Sequence, residues 1–459
     1  NFFWNEQNIS EFLFQTFVMH PQIGKSGCIS CRNYSFDKKK VLGKLKTMKL
    51  NTPEFRSLFT PELKQLTELF KQYNYELRIA GGAVRDLLSG KPPNDIDFAT
   101  TATPDQMMAM FNSEGIRMIN AKGEKHGTIT ARINDKENFE VTTLRIDVET
   151  DGRHAEVEYT RDWQLDANRR DLTFNSMFLG FDGTVYDYFN GREDLEKRLV
   201  RFVGDADARI KEDYLRILRY FRFYGRIAVD GNKHEPKTLQ AIRENAEGLK
   251  GTSGERIWME LKKIITGNHS PSIMRVMTEL QLLKYFGLPS NPNIDELEIV
   301  WKRSRQMEPA PMTLISALLA EVKEVYTLQE RIKMSTVELQ TGIFIVRYRN
   351  EGDSSDLLNY SQELMIDTMG KEPKVKDRVT ELLKYKGQLD VLEKFCEWSP
   401  PKFPIGGKHL VERGIKGGPK FAKILQELRM IWKRSGYKMS ESELVDKIDE
   451  PTLRSSGYL

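Results

Sequence analysis

The stretch LRIAGGAVRDLLSGKPPNDIDFAT, residues 77 to 100, decides how this chain reads. Leu77 to Ala80 is a short apolar run that predicts a strand stopping at Gly81 and Gly82. Ala83 to Leu88 predicts a helix ended by Gly90, and Asn94 to Phe98 predicts the next strand. Side chains alternate along a strand, so Asp95 and Asp97 are expected on one face, with Ile96 turned into the core. Two adjacent carboxylates repel each other unless a hard cation lies between them, and Mg²⁺ takes oxygen ligands. Glycine lets backbone approach a phosphate, and the N–H groups that open a helix favour anions. Arg85, one turn into that helix, carries a fork that matches two phosphate oxygens. A lone DxD is common on solvated strand edges, and a lone GG is usually a turn. The ordered set Gly81, Gly82, Arg85, Asp95 and Asp97 instead describes nucleotidyl transfer at a two-metal site. One ion would activate a hydroxyl and the other would steady a pyrophosphate leaving group.

The rest of the composition sets limits. With 459 residues, 39% hydrophobic and 30% charged, the chain has room for two to four soluble domains. No apolar run reaches membrane-spanning length. A net charge of +4 is too mild to establish nucleic-acid binding from bulk charge. Three cysteines make no disulfide framework, and the Cys28–Cys31 pair has no second pair to complete a zinc site, with Cys396 far away. There is no HExxH and no adjacent His–Asp pair, which argues against a zinc peptidase or a histidine–aspartate phosphohydrolase. From Met19 to Lys46, Lys25, Arg32, Lys38, Lys39, Lys40, Lys44 and Lys46 face a single acid, Asp37. Residues 1–47 are therefore expected to be a mitochondrial transit peptide or a disordered basic leader that touches RNA. Glu6 and Glu11 fit a transit peptide poorly. A start at Met48 would give a cytoplasmic or nuclear form.

Beyond the opening unit, strands are expected at 127–133, 139–146, 156–159 and 184–188, with 173–179 ambiguous between helix and strand. Asp182-Gly183 signals a turn. After Asp205 the strand signal fades and helices dominate, broken at Asp230-Gly231, at 251–254, at Pro289 to Pro292 and at Pro400-Pro401. The fold class is α+β: a small mixed sheet with flanking helices, then an all-helical remainder. The charged stretch 149–161 reads as a loop hinged at Gly152, either a lid or an ordinary surface loop.

A second constellation lies in KEDYLRILRYFRFYGR, residues 211–226. Read as one helix, it buries Tyr214, Ile217, Leu218, Phe221 and Tyr224, while Asp213, Arg216, Arg219 and Arg222 recur every third residue. Such charges often simply pair on a solvated face. A carboxylate beside a guanidinium also fits one kind of base edge. Cytosine and adenine both offer an amine donor next to a ring-nitrogen acceptor. Uracil and guanine would leave acceptor facing acceptor and donor facing donor. On that reading Asp213 and Arg216 are expected to accept CTP and ATP and to reject UTP and GTP. In RRDLTFNSM, residues 169–177, Arg170 is a triphosphate ligand candidate, and Asp171 and Asn175, four apart on a helix, are candidates for a ribose hydroxyl. Glu140 either completes the metal site from a strand or faces outward.

These motifs, in this order, resemble class II CCA-adding enzymes, tRNA nucleotidyltransferases of the DNA-polymerase-β-like superfamily. The resemblance rests on GGAVRD with DID, on RRDLTFNSM, on FVGDADARIKEDYLRILRYFRF at 202–223 and on SGERIWMELKKII at 253–265. It runs from about Leu50 to the C-terminus. It implies a polymerase-β-like nucleotidyltransferase head at 48–203, a helical neck at 204–288 that selects the base, a helical body at 289–400 and a tRNA-binding tail at 401–459. It implies Mg²⁺ at Asp95 and Asp97 and nucleotide contacts at Gly82, Arg85, Arg170, Asp213, Arg216, Arg219 and Arg222. The implied partners are tRNA lacking all or part of its 3′ CCA, CTP and ATP, with no membrane, in a monomer or homodimer. The tail glycines Gly406, Gly407, Gly414, Gly417 and Gly418 suit close approach to phosphates or ordinary helix capping. Three alternatives stay open: a poly(A) polymerase, an enzyme adding only A or only CC, and a non-catalytic RNA-binding relative.

Overall fold

The computed structural model describes residues 44–119, 127–150, 155–352, 356–368, 374–415 and 419–448. Most of the basic leader, the Cys28–Cys31 pair, Gly152, Gly417 and Gly418 lie outside the described residues.

Eight strands form one mixed sheet: β1 (Lys46–Lys49), β2 (Leu77–Ala80), β3 (Asp97–Thr100), β4 (Arg117–Ile119), β5 (Thr128–Ile133), β6 (Glu137–Thr143), β9 (Phe178–Leu179) and β10 (Thr184–Asp187). The order across the sheet is β1-β10-β9-β2-β3-β6-β5-β4. Every pairing is antiparallel except β3 with β6, which run parallel. Between them β7 (Arg145–Thr150) and β8 (Ala155–Tyr159) form a separate antiparallel hairpin.

Several expectations are corrected here. The sheet begins at Lys46, inside the stretch expected to be leader, because Lys46 and Thr47 pair with Asp187 and Tyr186. The strand expected at 139–146 is two strands that part at Leu144. The expected loop at 149–161 contains β8 and the end of β7, since Glu149 and Glu156 face each other in the hairpin. The ambiguous segment 173–179 is neither one helix nor one strand: a 3₁₀ turn, Thr173–Asn175, precedes β9.

The alternation along β2 and β3 builds two unlike faces. Ile79 and Phe98 enter the main core with Leu63, Leu66 and Phe70 of helix α1 (Pro61–Gln72). Ala80 and Ala99 turn the other way, toward Trp163, Phe178 and Tyr188. Small residues at those two positions leave the catalytic-side face low, with helix α4 (Trp163–Asn168) laid across it. In chain order, α2 is Gly82–Leu88 and α3 is Pro104–Ser113, the latter opened by a Thr103–Gln106 capping box.

The main core is continuous from Leu50 to Val346 and also takes in Tyr385, so the sheet and the following helices share one apolar interior. A second cluster lies between Met307 and Phe395, and a third between Ile405 and Ile448. Lys433 of the third unit bonds Glu363 at 3.0 Å and Asp367 at 2.8 Å on the second. No helix among the described residues is long and apolar enough to cross a membrane.

Candidate active site

One cavity of about 710 Å³ gathers residues from both constellations: Gly81, Gly82, Arg85, Asp95, Asp97, Arg170, Asp171 and Asn175 from the head, with Asp213, Arg216, Arg219 and Arg222 from the helices.

At one end stand the acids. Gly81 ends β2 with φ 63° and ψ −115°, a conformation open to glycine. A Cβ there would come within 2.9 Å of Arg170 Nη1, so glycine also leaves room for that guanidinium. The strand expected at 94–98 starts late: Asp97 is the first residue of β3, and Asp95 lies in the bend before it. The expected sidedness survives, since Ile96 packs against the main core. Asp97 pairs in register with Glu140 across the parallel β3–β6 junction, which sets those side chains next to each other on one face. Asp97 is open to the cavity yet crowded by its walls. That crowding raises its pKa, Arg170 opposes the rise and Asp95 adds to it. The Glu140 carboxyl is raised by burial, then by Asp97 and Asp95. Asp97 and Glu140, with Asp95 beside them, are a cluster short of positive charge. Among the described residues no three acidic, His or Cys groups close around a single point, and Glu140 stands in register beside Asp97. Two carboxylates with solvent beside them fit a hard divalent cation, which takes its remaining oxygens from water and phosphate.

The middle of the cavity is a lattice of buried ion pairs. Asp166, almost fully buried, holds Arg169 at 2.8 Å and Arg170 at 3.2 Å. Arg85 was expected to clamp phosphate oxygens. It is buried instead, donating from Nη1 to Asn175 Oδ1 at 2.7 Å and from Nε and Nη2 to Asp86. Asp171 and Asn175 do not share a helix. The 3₁₀ turn brings Asn175 Nδ2 within 3.3 Å of Asp171 Oδ1, while Asp171 Oδ2 accepts from Arg219.

The far end departs most from expectation. Residues 211–226 are two helices, α5 (Ala206–Glu212) and α6 (Arg216–Ile227), separated at Asp213, whose φ −155° and ψ 106° are extended. The break lifts Asp213 out of helical register. Its Oδ1 accepts from Leu215 N at 3.1 Å and its Oδ2 from Arg256 Nη2 at 2.7 Å. Arg216 donates to Glu212 at 2.6 Å and to the carbonyls of Arg209 and Arg169. Arg222 pairs with Glu260, which like Arg256 lies on α7 (Gly254–Ile265). Arg226 crosses back to Asp86 at 2.9 Å. Sequence reading passed over Asp86, Asn94, Arg169, Arg226, Arg256 and Lys263, all of which line the cavity. The signal was present in SGERIWMELKKII, where Arg256, Glu260 and Lys263 recur at i, i+4 and i+7 along one side of the helix.

A mixed sheet with paired aspartates at one strand mouth, and an arginine-rich helix facing them, defines a nucleotidyltransferase. A family model described as Poly A polymerase head domain matches residues 77–201, and one described as probable RNA and SrmB-binding site of polymerase A matches 233–294. Mitochondrial CCA tRNA nucleotidyltransferase 1 of Danio rerio is 55% identical over 410 residues, 88% of this chain and 94% of that relative. The Homo sapiens protein of the same name is 56% identical over 406 residues, 88% and 93% of the two chains. The chain therefore belongs to the CCA tRNA nucleotidyltransferases. Its fold is that of the Bacillus stearothermophilus CCA-adding enzyme solved in complex with CTP, at TM-score 0.70 and 24% identity, covering 89% of this chain and all (100%) of that one.

Proposed function

We propose that this chain adds C, C and A to the 3′ end of tRNA from CTP and ATP, releasing pyrophosphate each time. The observation that carries the reading is one cavity with paired aspartates at one end and Asp213 and Arg216 at the other. The tRNA 3′ hydroxyl attacks the α-phosphate, forming the new ester bond as the bond to the pyrophosphate oxygen breaks. Enzymes of this superfamily use a divalent metal. We take it to be Mg²⁺, held by Asp95 and Asp97, where it supplies charge stabilisation for the attacking and leaving oxygens. Glu140 adds negative charge beside Asp97. Gly81 and Gly82 keep the wall beside the phosphates free of side chains. Arg170 and Arg219 present charge to the triphosphate, and Asp171 and Asn175 border the ribose.

Base choice falls to Asp213 and Arg216. Each carboxylate oxygen of Asp213 accepts one bond in the structure and retains a second lone pair for an amine donor. Arg216 uses three of its N–H groups internally and keeps two to offer a ring nitrogen. Arg85 and Arg222 act from behind, Arg85 by fixing Asn175 and Arg222 by bonding Glu260. The place of work is the mitochondrion, as in the relatives named above.

The name of the matching head model favours a second reading, a poly(A) polymerase. A tRNA transcript lacking its last three nucleotides, offered each NTP with Mg²⁺, separates the two. Two additions with CTP alone and a stop after three with CTP plus ATP are expected. Long ladders with ATP alone would replace this reading with the second.

A further inference from the structure

One positive charge in the cavity differs from the rest. Each of the eight arginines in its wall lies within 4.0 Å of a carboxylate. Lys263 also lines the cavity, and among the described residues it has no hydrogen-bond or ion-pair partner. The acid whose charge acts on it, Glu260, is already bonded to Arg222. Partial burial and the repulsion of Arg222 and Arg219 lower the pKa of the Lys263 ammonium. Lys263 is nevertheless solvent-exposed, so the cavity is open at this point.

Its position along α7 narrows the role. Arg256 ties Asp213, Glu260 ties Arg222 one turn on, and Lys263 follows on the same face. At 1.5 Å per residue, Lys263 stands about 10 Å along the axis from the base-reading end. The reacting phosphate belongs by Asp95 and Asp97, next to the fixed arginine lattice of the cavity's middle. A lone ammonium on a flexible stem is a different device from a planar fork held in an ion pair. It suits a phosphate whose position shifts, as the phosphates of a strand do when its end grows by one nucleotide at a time.

We propose that Lys263 binds a backbone phosphodiester of the RNA strand being extended. The proposal rests on the CCA-adding reading and names a contact for its RNA partner. The test uses the full chain carrying Lys263→Gln, Lys263→Arg or, as a control, Lys262→Gln, whose lysine instead bonds Glu338. KM for tRNA lacking CCA, KM for CTP and for ATP, and the salt dependence of tRNA binding are measured. Lys263→Gln is expected to raise the tRNA KM about five-fold and to reduce the salt slope by about one, leaving both nucleotide KM values unchanged. Lys263→Arg should restore the slope, and Lys262→Gln should leave it alone. An unchanged slope and tRNA KM, or a rise in nucleotide KM instead, overturns the proposal. Should Lys263→Gln fail to fold, a slope in Lys263→Arg unlike that of the wild type overturns it equally. Failure of the wild type to add CCA would sink the underlying reading and is seen before any variant is compared.

Discussion

The two ends of the cavity follow opposite electrostatic rules. At the end proposed to read the base each acid has a basic partner in place: Glu212 with Arg216, Asp171 with Arg219, Asp213 with Arg256, Glu260 with Arg222. At the metal end Asp97 and Glu140 repel each other and Asp95, and the opposing charge on Asp97 comes from Arg170, itself committed to Asp166. The first end is therefore formed before any ligand arrives, with little left to reorganise when a base is read. The second is left short of positive charge, which a cation bound there would supply. A site that accepts two different bases gains from a fixed reader. A site that must draw in metal and triphosphate gains from an unfilled charge.

The strongest way to break this division is to remove the acids that await a cation. Asp95→Ala or Asp97→Ala should lower kcat by about a thousandfold, the order expected when several kcal/mol of charge stabilisation is lost. tRNA affinity, measured by filter binding, should stay within about two-fold of the wild type. Activity near wild type in either variant would refute the metal assignment. At the other end, Asp213→Ala leaves Arg256 without its carboxylate and takes away the acceptor for the base amine. The preference for CTP over UTP in single-nucleotide assays should fall by about 10- to 100-fold, as expected when a hydrogen-bonding partner of the base is lost. Unchanged discrimination would remove Asp213 from base choice. Gly81→Ala probes the wall between the ends. The added methyl meets Arg170 in a backbone region hostile to L-residues, at a cost of about 1–3 kcal/mol. The expected result is a melting temperature lower by about 5 °C, with a raised CTP KM.

The metal end was the more legible of the two in sequence, and the reason is locality. Gly81, Gly82, Asp95 and Asp97 fall within one strand–helix–strand unit, and the side that Asp97 takes follows from alternation alone. The 184–188 strand and the Asp182-Gly183 turn were readable for the same reason, with Gly183 at φ 80°. The base end depends on contacts over long separations that no local pattern encodes. Residues 211–226 have continuous helical periodicity, yet the chain breaks at Asp213, where Arg256, 43 residues away, draws the carboxylate aside. Arg85 looked like a free phosphate clamp because its partner Asn175 is 90 residues distant. The parallel pairing of Asp97 with Glu140 was equally out of reach, so Glu140 could be read as metal-linked or outward-facing with equal justice.

The gentlest test of the contrast is thermal and depends on pH. Asp97 and Glu140 have raised folded-state pKa values, so folding favours their protonated forms. Below the unfolded values, near 3.8 for Asp and 4.5 for Glu, both carboxyls are protonated in either state and cost nothing. As pH rises through the raised folded values, the cation-free protein loses stability at this site. On the proposed metal assignment a divalent cation would bind the ionised pair and offset the loss, so protons and metal would compete. Millimolar Mg²⁺ should raise the melting temperature by about 2 °C at pH 7.5 and by progressively less toward pH 5. Asp97→Asn should abolish the gain and slightly raise the melting temperature of the metal-free protein, since a neutral amide removes the repulsion with Asp95 and Glu140. Asp213→Asn should leave the gain intact, because that carboxylate is balanced by Arg256 from the outset. Equal Mg²⁺ effects on the two asparagine variants would show the ends to be electrostatically alike.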